Sequence, residues 1–195
     1  MKIQYHDNAS FSLLFKKKEI LINPSGGNET DVVVVTHQSE NISLSDVKAK
    51  KILDWPGEYE IEEVLIKAIE FFREPKEAEQ KLGKTLIFVF HFQGYKICHL
   101  GAVGCKLTPD VIDQIGDVDV LMTPLGLEGT IDIKKAKETI SSIDPKIVLP
   151  MNYGQDIEAL KKEMHAEDQE VVAELDLKKV KFNPDKTELY ILEKM

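Results

Sequence analysis

The segment VVVVTHQSENISL, residues 32–44, joins a run of four valines to a cluster of small polar residues. A continuous β-branched run of this kind predicts a strand that is buried on both faces. Because the run ends at Thr36 and His37, it looks like the approach to a metal site, in which more histidines and an aspartate would follow. Here the next residues are Gln38, Ser39, Glu40, Asn41 and Ile42. The segment therefore raises the question whether a metal centre is present in altered form or has been lost.

The composition excludes several classes of protein. The chain has 195 residues, with 43% hydrophobic and 30% charged residues, which predicts one globular domain over residues 1–195. The net charge of −9 argues against a nucleic-acid surface and against docking on anionic lipid. We find neither a bilayer-spanning apolar run nor the apolar segment of a signal peptide, so we expect a cytoplasmic protein. Cys98 and Cys105 fit no metal or redox spacing and are predicted to be reduced thiols.

The order of elements predicts the fold class. Short candidate strands fill the first half of the chain, and a charged loop is predicted over residues 73–84. From Thr108 onward strands alternate with helices, the first with Pro109 at its first position and the second over Asp132 to Ile143. Further strands are predicted near residues 170–173, 178–182 and 188–193. This order indicates an α/β sandwich of two sheets.

Six motifs carry a resemblance to a known family. In chain order they are NASF (8–11), INPSGG (22–27), THQSENI (36–42), WPGEYEI (55–61), ICHLGAVGCKLTPDVIDQIGDVDVLMTPLG (97–126) and IDPKIVLPMNYG (143–154). Together they resemble the metallo-β-lactamase superfamily, in its short branch of metal-dependent hydrolases related to ascorbate-phosphate lactonase. The resemblance implies an αββα sandwich, with two mixed β-sheets and helices on the outer faces. It also implies a metal site at one edge of the sheets, where one or two zinc ions hold a hydroxide for hydrolysis.

The resemblance also shows what has changed at the metal-ligand positions. His37 stands where the family has its first histidine ligand. The other six positions are substituted, with Ser39, Ile42, Arg73 and Asn152 in place of histidines and Asn41 and Ala102 in place of aspartates. Asn8, Asn23 and His99 flank the same pocket.

These substitutions share one feature, the removal of negative charge. Carboxylates that cluster without metal ions would repel one another. Asn41 and Ala102 are uncharged, and so is Asn23, where the family has another aspartate. Arg73 brings a permanent positive charge and cannot ligate zinc. We therefore expect a non-catalytic protein without a metal cofactor. Its pocket, including His37, Arg73 and Asn152, would bind a small anionic ligand, or the protein would bind a protein partner.

Three alternatives remain open at this stage. A hydrolase could retain zinc through a rearranged site on His37 and His99, although two ligands are few for tight binding. A structural subunit could have the pocket closed by packing. A metal-free enzyme could use Ser39 and His37, but the sequence has no nucleophile elbow around this serine. Arg73 could equally extend into solvent from its charged loop.

Overall fold

A computed structural model describes residues 1–27, 29–61, 63–75, 81–126, 129–153 and 157–195. The strands in these ranges are β1 (Lys2–Asp7), β2 (Ser10–Phe15), β3 (Lys18–Ile22), β4 (Glu29–Val34), β5 (Lys48–Leu53), β6 (Gly57–Ile61), β7 (Val64–Phe72), β8 (Lys84–Phe92), β9 (Tyr95–His99), β10 (Val120–Pro124), β11 (Ile147–Met151), β12 (Val171–Val172), β13 (Leu175–Asp176), β14 (Glu188–Leu189) and β15 (Ile191–Leu192). The helices are α1 (Pro109–Ile115), α2 (Ile133–Ile143) and α3 (Ile157–Glu163).

Two mixed sheets form the body of the molecule, as predicted. The first has the order β13-β1-β2-β3-β4-β5, with β3, β4 and β5 parallel to one another. The second has the order β14-β11-β10-β9-β8-β7-β6, in which β9, β10, β11 and β14 are parallel. A small parallel pair, β12 and β15, completes the described sheets.

A hydrophobic core lies between the two sheets because their strands alternate in the expected way. On β2, Phe11, Leu13 and Phe15 point into this core, as Phe88 and Phe90 do from β8. The valine run is buried on both faces of its strand, as predicted, since Val33 is as completely buried as its neighbours.

The described helices all pack on one side of the sandwich. Val111 of α1, Ile140 of α2 and Leu160 of α3 join a second core cluster, which they form with the outer face of the second sheet. Two mixed sheets with helices outside them match the predicted fold class, and the helices in the described ranges pack on the outer face of the second sheet. The outer face of the first sheet instead carries polar residues and ion pairs such as Lys50–Asp31.

Several local predictions are confirmed and one strand is wrong. Helix α1 begins at Pro109, although the Thr108 side chain makes no capping hydrogen bond, and α2 is capped by Asp132. Residues 178–182 form no strand, because the chain turns after β13. Of the predicted loop at 73–84, residues 76–80 lie outside the described ranges. Cys98 and Cys105 are buried as thiols, as predicted.

No helix in the described ranges is both long and apolar enough to cross a membrane.

Candidate functional site

The candidate site is a cavity at the carboxyl ends of parallel strands. Strands β3 and β4 of the first sheet end there, as do β9 and β11 of the second, and the turn after β1 closes one side. Loops that follow parallel strands at one sheet edge are a common position for binding sites. The cavity has a volume of about 640 Å³ and is lined by His6, Asp7, Asn8, Ala9, Ser10, Asn23, Ser25, His37, Ser39, Glu40, Asn41, Ile42, Ala102, Thr130, Asn152, Lys194 and Met195. The structure thus has an open cavity here, unlike the alternative in which packing closes the pocket.

Asn23 connects the elements around the cavity. Its side chain is buried, and Nδ2 donates to the Ala9 carbonyl at 3.0 Å and to Thr36 Oγ1 at 2.9 Å. Its Oδ1 accepts from the Thr36 backbone N–H at 2.8 Å. An aspartate here could not donate to the Ala9 carbonyl, and it would place a negative charge against that oxygen. The amide therefore suits a site without a metal charge.

His37 is held by the same group of residues. Its Nδ1 lies 2.8 Å from Thr36 Oγ1, which leaves Nε2 as the ring nitrogen available to the cavity. Burial, and secondly the positive charge of Arg73, lower the pKa of His37 to about 4. His37 is therefore neutral at pH 7 and can take part in hydrogen bonds as an uncharged ring.

His99 is fully buried and is hydrogen-bonded through both ring nitrogens. Its Nε2 donates to the Ala9 carbonyl at 3.1 Å, and Nδ1 accepts from the Gly101 backbone N–H at 3.0 Å. This pattern fixes the neutral tautomer with the proton on Nε2. Burial lowers the pKa of His99 to about 3, although the bond to Ala9 opposes the shift. A zinc ion would need one of these nitrogens, and a hydrogen bond would be lost.

A second set of hydrogen bonds joins the two sheets behind the cavity. Thr85 Oγ1 donates to the Thr36 carbonyl at 3.2 Å and accepts from the Ala102 N–H at 3.0 Å. Gly101 has φ +63°, and an added Cβ would collide with the Thr85 hydroxyl. Ala102, at the family's bridging aspartate, is therefore buried in a hydrogen-bonded turn.

Three asparagines around the site share an unusual backbone conformation. Asn8, Asn23 and Asn152 have φ of +50°, +50° and +54°. Asparagine, aspartate and histidine are enriched among the non-glycine residues in this left-handed region. Replacing a histidine or an aspartate by asparagine therefore removes a metal ligand or a charge but preserves the backbone turn.

Ser39, Asn41 and Ile42 form a short turn at the cavity wall. The Asn41 N–H donates to Ser39 Oγ at 3.3 Å, and the Ile42 N–H donates to the Ser39 carbonyl at 3.1 Å. Ser39 Oγ is therefore engaged with its own turn, and among the described residues it makes no hydrogen bond with His37. This geometry gives no support to a serine nucleophile activated by that histidine.

Arg73 corrects one detail of the predicted site. Its guanidinium Nη1 donates to the Leu82 carbonyl at 3.2 Å, and Arg73 is not among the residues lining the cavity. Arg73 directly follows β7, whose carboxyl end lies at the same edge of the sheet as the cavity. Its positive charge lowers the pKa of His37. The charge therefore stands beside the cavity rather than in its wall.

Of the remaining predicted residues, the structure brings Ser39, Asn41, Ile42, Ala102, Asn152, Asn8 and Asn23 into one lining, whereas buried His99 lies behind it. Sequence reasoning missed the ion pair between Lys194 and Asp7, at 2.6 Å, on the cavity wall. Their separation along the chain leaves no local motif by which to find them. The lining then carries Asp7, Glu40 and Lys194, so it has no excess of positive charge.

The donor set does not fit zinc. In the described ranges, no group of three or more histidine, cysteine, aspartate or glutamate residues is placed to hold a metal ion. A catalytic zinc site needs three protein ligands. The cavity lining contains His6, Asp7 and Glu40 besides His37, but these residues are not placed as such a group, and His99 is committed to Ala9 and Gly101.

Comparison with known proteins identifies the family. A model described as a beta-lactamase superfamily domain matches residues 2–152. The solved structure of a protein from Thermotoga maritima, assigned as a Zn-dependent hydrolase of the metallo-beta-lactamase superfamily, is 30% identical with a TM-score of 0.79. The match covers 98% of this chain and 99% of that one. The chain therefore belongs to the metallo-β-lactamase superfamily.

The relatives define the branch within this superfamily. The UPF0173 protein PF0020 of Pyrococcus furiosus is 26% identical over 200 aligned residues, covering 84% of this chain and 90% of the relative. The UPF0173 metal-dependent hydrolase Ta0764 of Thermoplasma acidophilum is 24% identical, covering 78% and 83%. Both relatives carry the UPF0173 family name, and Ta0764 is also named as a metal-dependent hydrolase.

Proposed function

We propose that this member of the family has lost its hydrolytic metal centre and acts by binding a small molecule in the former active-site cavity. The observation that carries the proposal is the state of His99. Both of its ring nitrogens are used by backbone groups, at 3.1 Å and 3.0 Å, and the ring is fully buried. A zinc site on His37 and His99 would therefore require breaking a hydrogen bond and would still lack a third ligand.

The hydrogen-bonding character of the wall supports a binding role. His37 is neutral at pH 7, and Asn8, Asn23, Asn41 and Asn152 are uncharged. A cavity of about 640 Å³ lies in the range that accommodates a small molecule. The sequence pointed to an anionic ligand, but Arg73 lies outside the lining and Lys194 is already paired with Asp7. The geometry favours a ligand that is held mainly by neutral hydrogen-bonding groups.

The names of the relatives favour a second candidate, a metal-dependent hydrolase, and a hydrolysis assay separates the two. We expect the protein, with added zinc, to hydrolyse a lactone, a phosphodiester and a β-lactam no faster than buffer does. The reason is that no described group of this cavity can lower the pKa of water toward about 7 as bound zinc does. A zinc-dependent rate that is abolished by His37→Ala would contradict the proposal, and His91→Ala, at an exposed strand position, is the matched control.

A further inference from the structure

A second cavity lies directly beside the candidate site. It has a volume of about 550 Å³ and shares His37, Ser39 and Ile42 with the first cavity. Its lining also includes Leu44, Asp54, Trp55, Glu70, Leu82 and Lys84. The loop that follows β4 is therefore a common wall between two neighbouring spaces.

Exposed apolar side chains gather at this second cavity. Trp55 is 73% exposed, Leu44 is 42% exposed and Leu82 is 39% exposed, and all three line it. Single exposed apolar residues are ordinary on a protein surface, but three around one concave space mark a binding region. Tryptophan in particular supplies a large flat surface for a partner group.

The backbone that presents Trp55 is held in place. The Tyr59 hydroxyl donates to the Trp55 carbonyl at 2.8 Å, across the start of β6. Gly57 has φ +154°, and an added Cβ would lie 3.4 Å from the Tyr59 hydroxyl oxygen. Trp55 therefore stands on the bend between β5 and β6, and its backbone carbonyl is hydrogen-bonded to Tyr59.

The charged residues that line the two cavities indicate whether a ligand would be charged or neutral. Within the described lining residues the lysines are Lys84 and Lys194, which pair with Glu70 and Asp7. Asp54 and Glu40 add negative charge. An uncharged ligand avoids the desolvation of an unpaired charge in this setting.

We propose that the two cavities form one binding site for an uncharged small molecule. Its planar apolar part would lie against Trp55, Leu44 and Leu82, and its polar end would hydrogen-bond at His37 and Asn152. This assignment names the ligand class for the proposed binding function and rests on it. His37, Ser39 and Ile42 line both cavities, so one ligand that lies across this loop would contact both.

Trp55 is the chain's single tryptophan, which gives a direct readout. The probe is prodan, an uncharged naphthalene ketone that accepts energy from tryptophan and brightens in apolar surroundings. We expect saturable binding at one site per chain, with energy transfer from Trp55. Leu44→Ser should weaken it about fivefold or more, because a leucine contact is lost. Asn152→Gly should weaken it as well, since it removes the polar contact while glycine accepts φ +54°.

Two controls make the result specific. Leu65→Ser changes a leucine of similar exposure, 53%, that lies outside both cavities and should leave the affinity within about twofold. Near-ultraviolet circular dichroism of each variant reports whether packing is intact. Anilinonaphthalene sulfonate, which carries a negative charge, should bind more weakly than prodan.

Four outcomes would overturn the assignment: absent saturable binding, equal weakening by Leu65→Ser, no effect of Asn152→Gly, or tighter binding of the anionic probe. The hydrolysis assay remains a separate readout. Zinc-dependent hydrolysis would refute the proposed function, whereas absent hydrolysis together with absent prodan binding would refute only this ligand assignment.

Discussion

At the scale of single residues, asparagine stands at several site positions where the resemblance places metal ligands or charged groups. The sequence allowed the neutralised pattern to be predicted, because Asn41, Ala102 and Asn152 stand at positions that the resemblance assigns to metal ligands. It could not show that Asn152 needs a left-handed backbone, or that Asn23 bonds to Ala9 and Thr36. Those facts depend on contacts between residues far apart in the chain.

Asn23→Asp tests this account at one residue. The buried carboxylate would lose the donor to Ala9 and carry a charge without a partner, so we expect the free energy of unfolding at pH 7 to fall by about 2–4 kcal/mol. Urea unfolding measures the loss. Asn41→Asp makes the same chemical change at an exposed position and should cost less than about 0.5 kcal/mol. Equal losses in the two variants would show that the Asn23 amide is not required.

At the scale of elements, the sequence predicted those strands and helix ends that depend on interactions between neighbouring residues. The valine run gave a buried strand, since Val32 to Val34 are buried at the end of β4, whereas Val35 follows the strand and is half-buried. Pro109 begins α1 as expected. The weak pattern at 178–182 gave a false strand, since no neighbouring strand edge pairs with it in the described sheets.

The position of Arg73 also belongs to this scale. The end of β7 brings the residue to the right edge of the sheet, which its place in the sequence suggested. The direction of the guanidinium, toward the Leu82 carbonyl, depends on the return of the chain before β8. A long flexible side chain has many rotamers, so its endpoint cannot be read from its position alone.

At the scale of the whole molecule, the buried histidines couple folding to pH. The pKa of His99 is about 3 in the folded protein, below its ordinary value of 6.5. Between these two pH values His99 binds a proton in the unfolded chain but not in the folded one. The contribution of His99 to stability is therefore fully present above pH 6.5 and is lost as the pH is lowered. We expect His99 to contribute a loss of about 2 kcal/mol between pH 6.5 and pH 5.

Thermal unfolding followed from pH 7 to pH 5 measures this dependence. The variant His99→Gln should be less stable at pH 7 but should lose less stability on acidification, because the titrating ring is gone. His91→Gln, at an exposed position, should keep most of the original slope. A slope that is the same in the original protein and in His99→Gln would contradict the assignment to His99.

The same scale shows what holds the strands around the site together. The two sheets meet in a core that includes Phe11, Phe88 and Phe90, and residues beyond the matched domain add β13 to one sheet and β14 to the other. This apolar burial, together with the hydrogen bonds of Asn23 and Thr85, holds the strand ends around the cavity together.

The most direct test of the central claim is the zinc content of the protein after exposure to excess zinc and desalting, measured by elemental analysis. A rebuilt variant that restores the family's ligands is the positive control, with Ser39→His, Asn41→Asp, Ile42→His, Arg73→His, Ala102→Asp and Asn152→His. We predict far less than one zinc per chain in the original protein, an unchanged melting temperature with chelator, and retained zinc in the rebuilt variant. One tightly held zinc per chain in the original protein, with a melting temperature that falls on chelation, would contradict the loss of the metal centre.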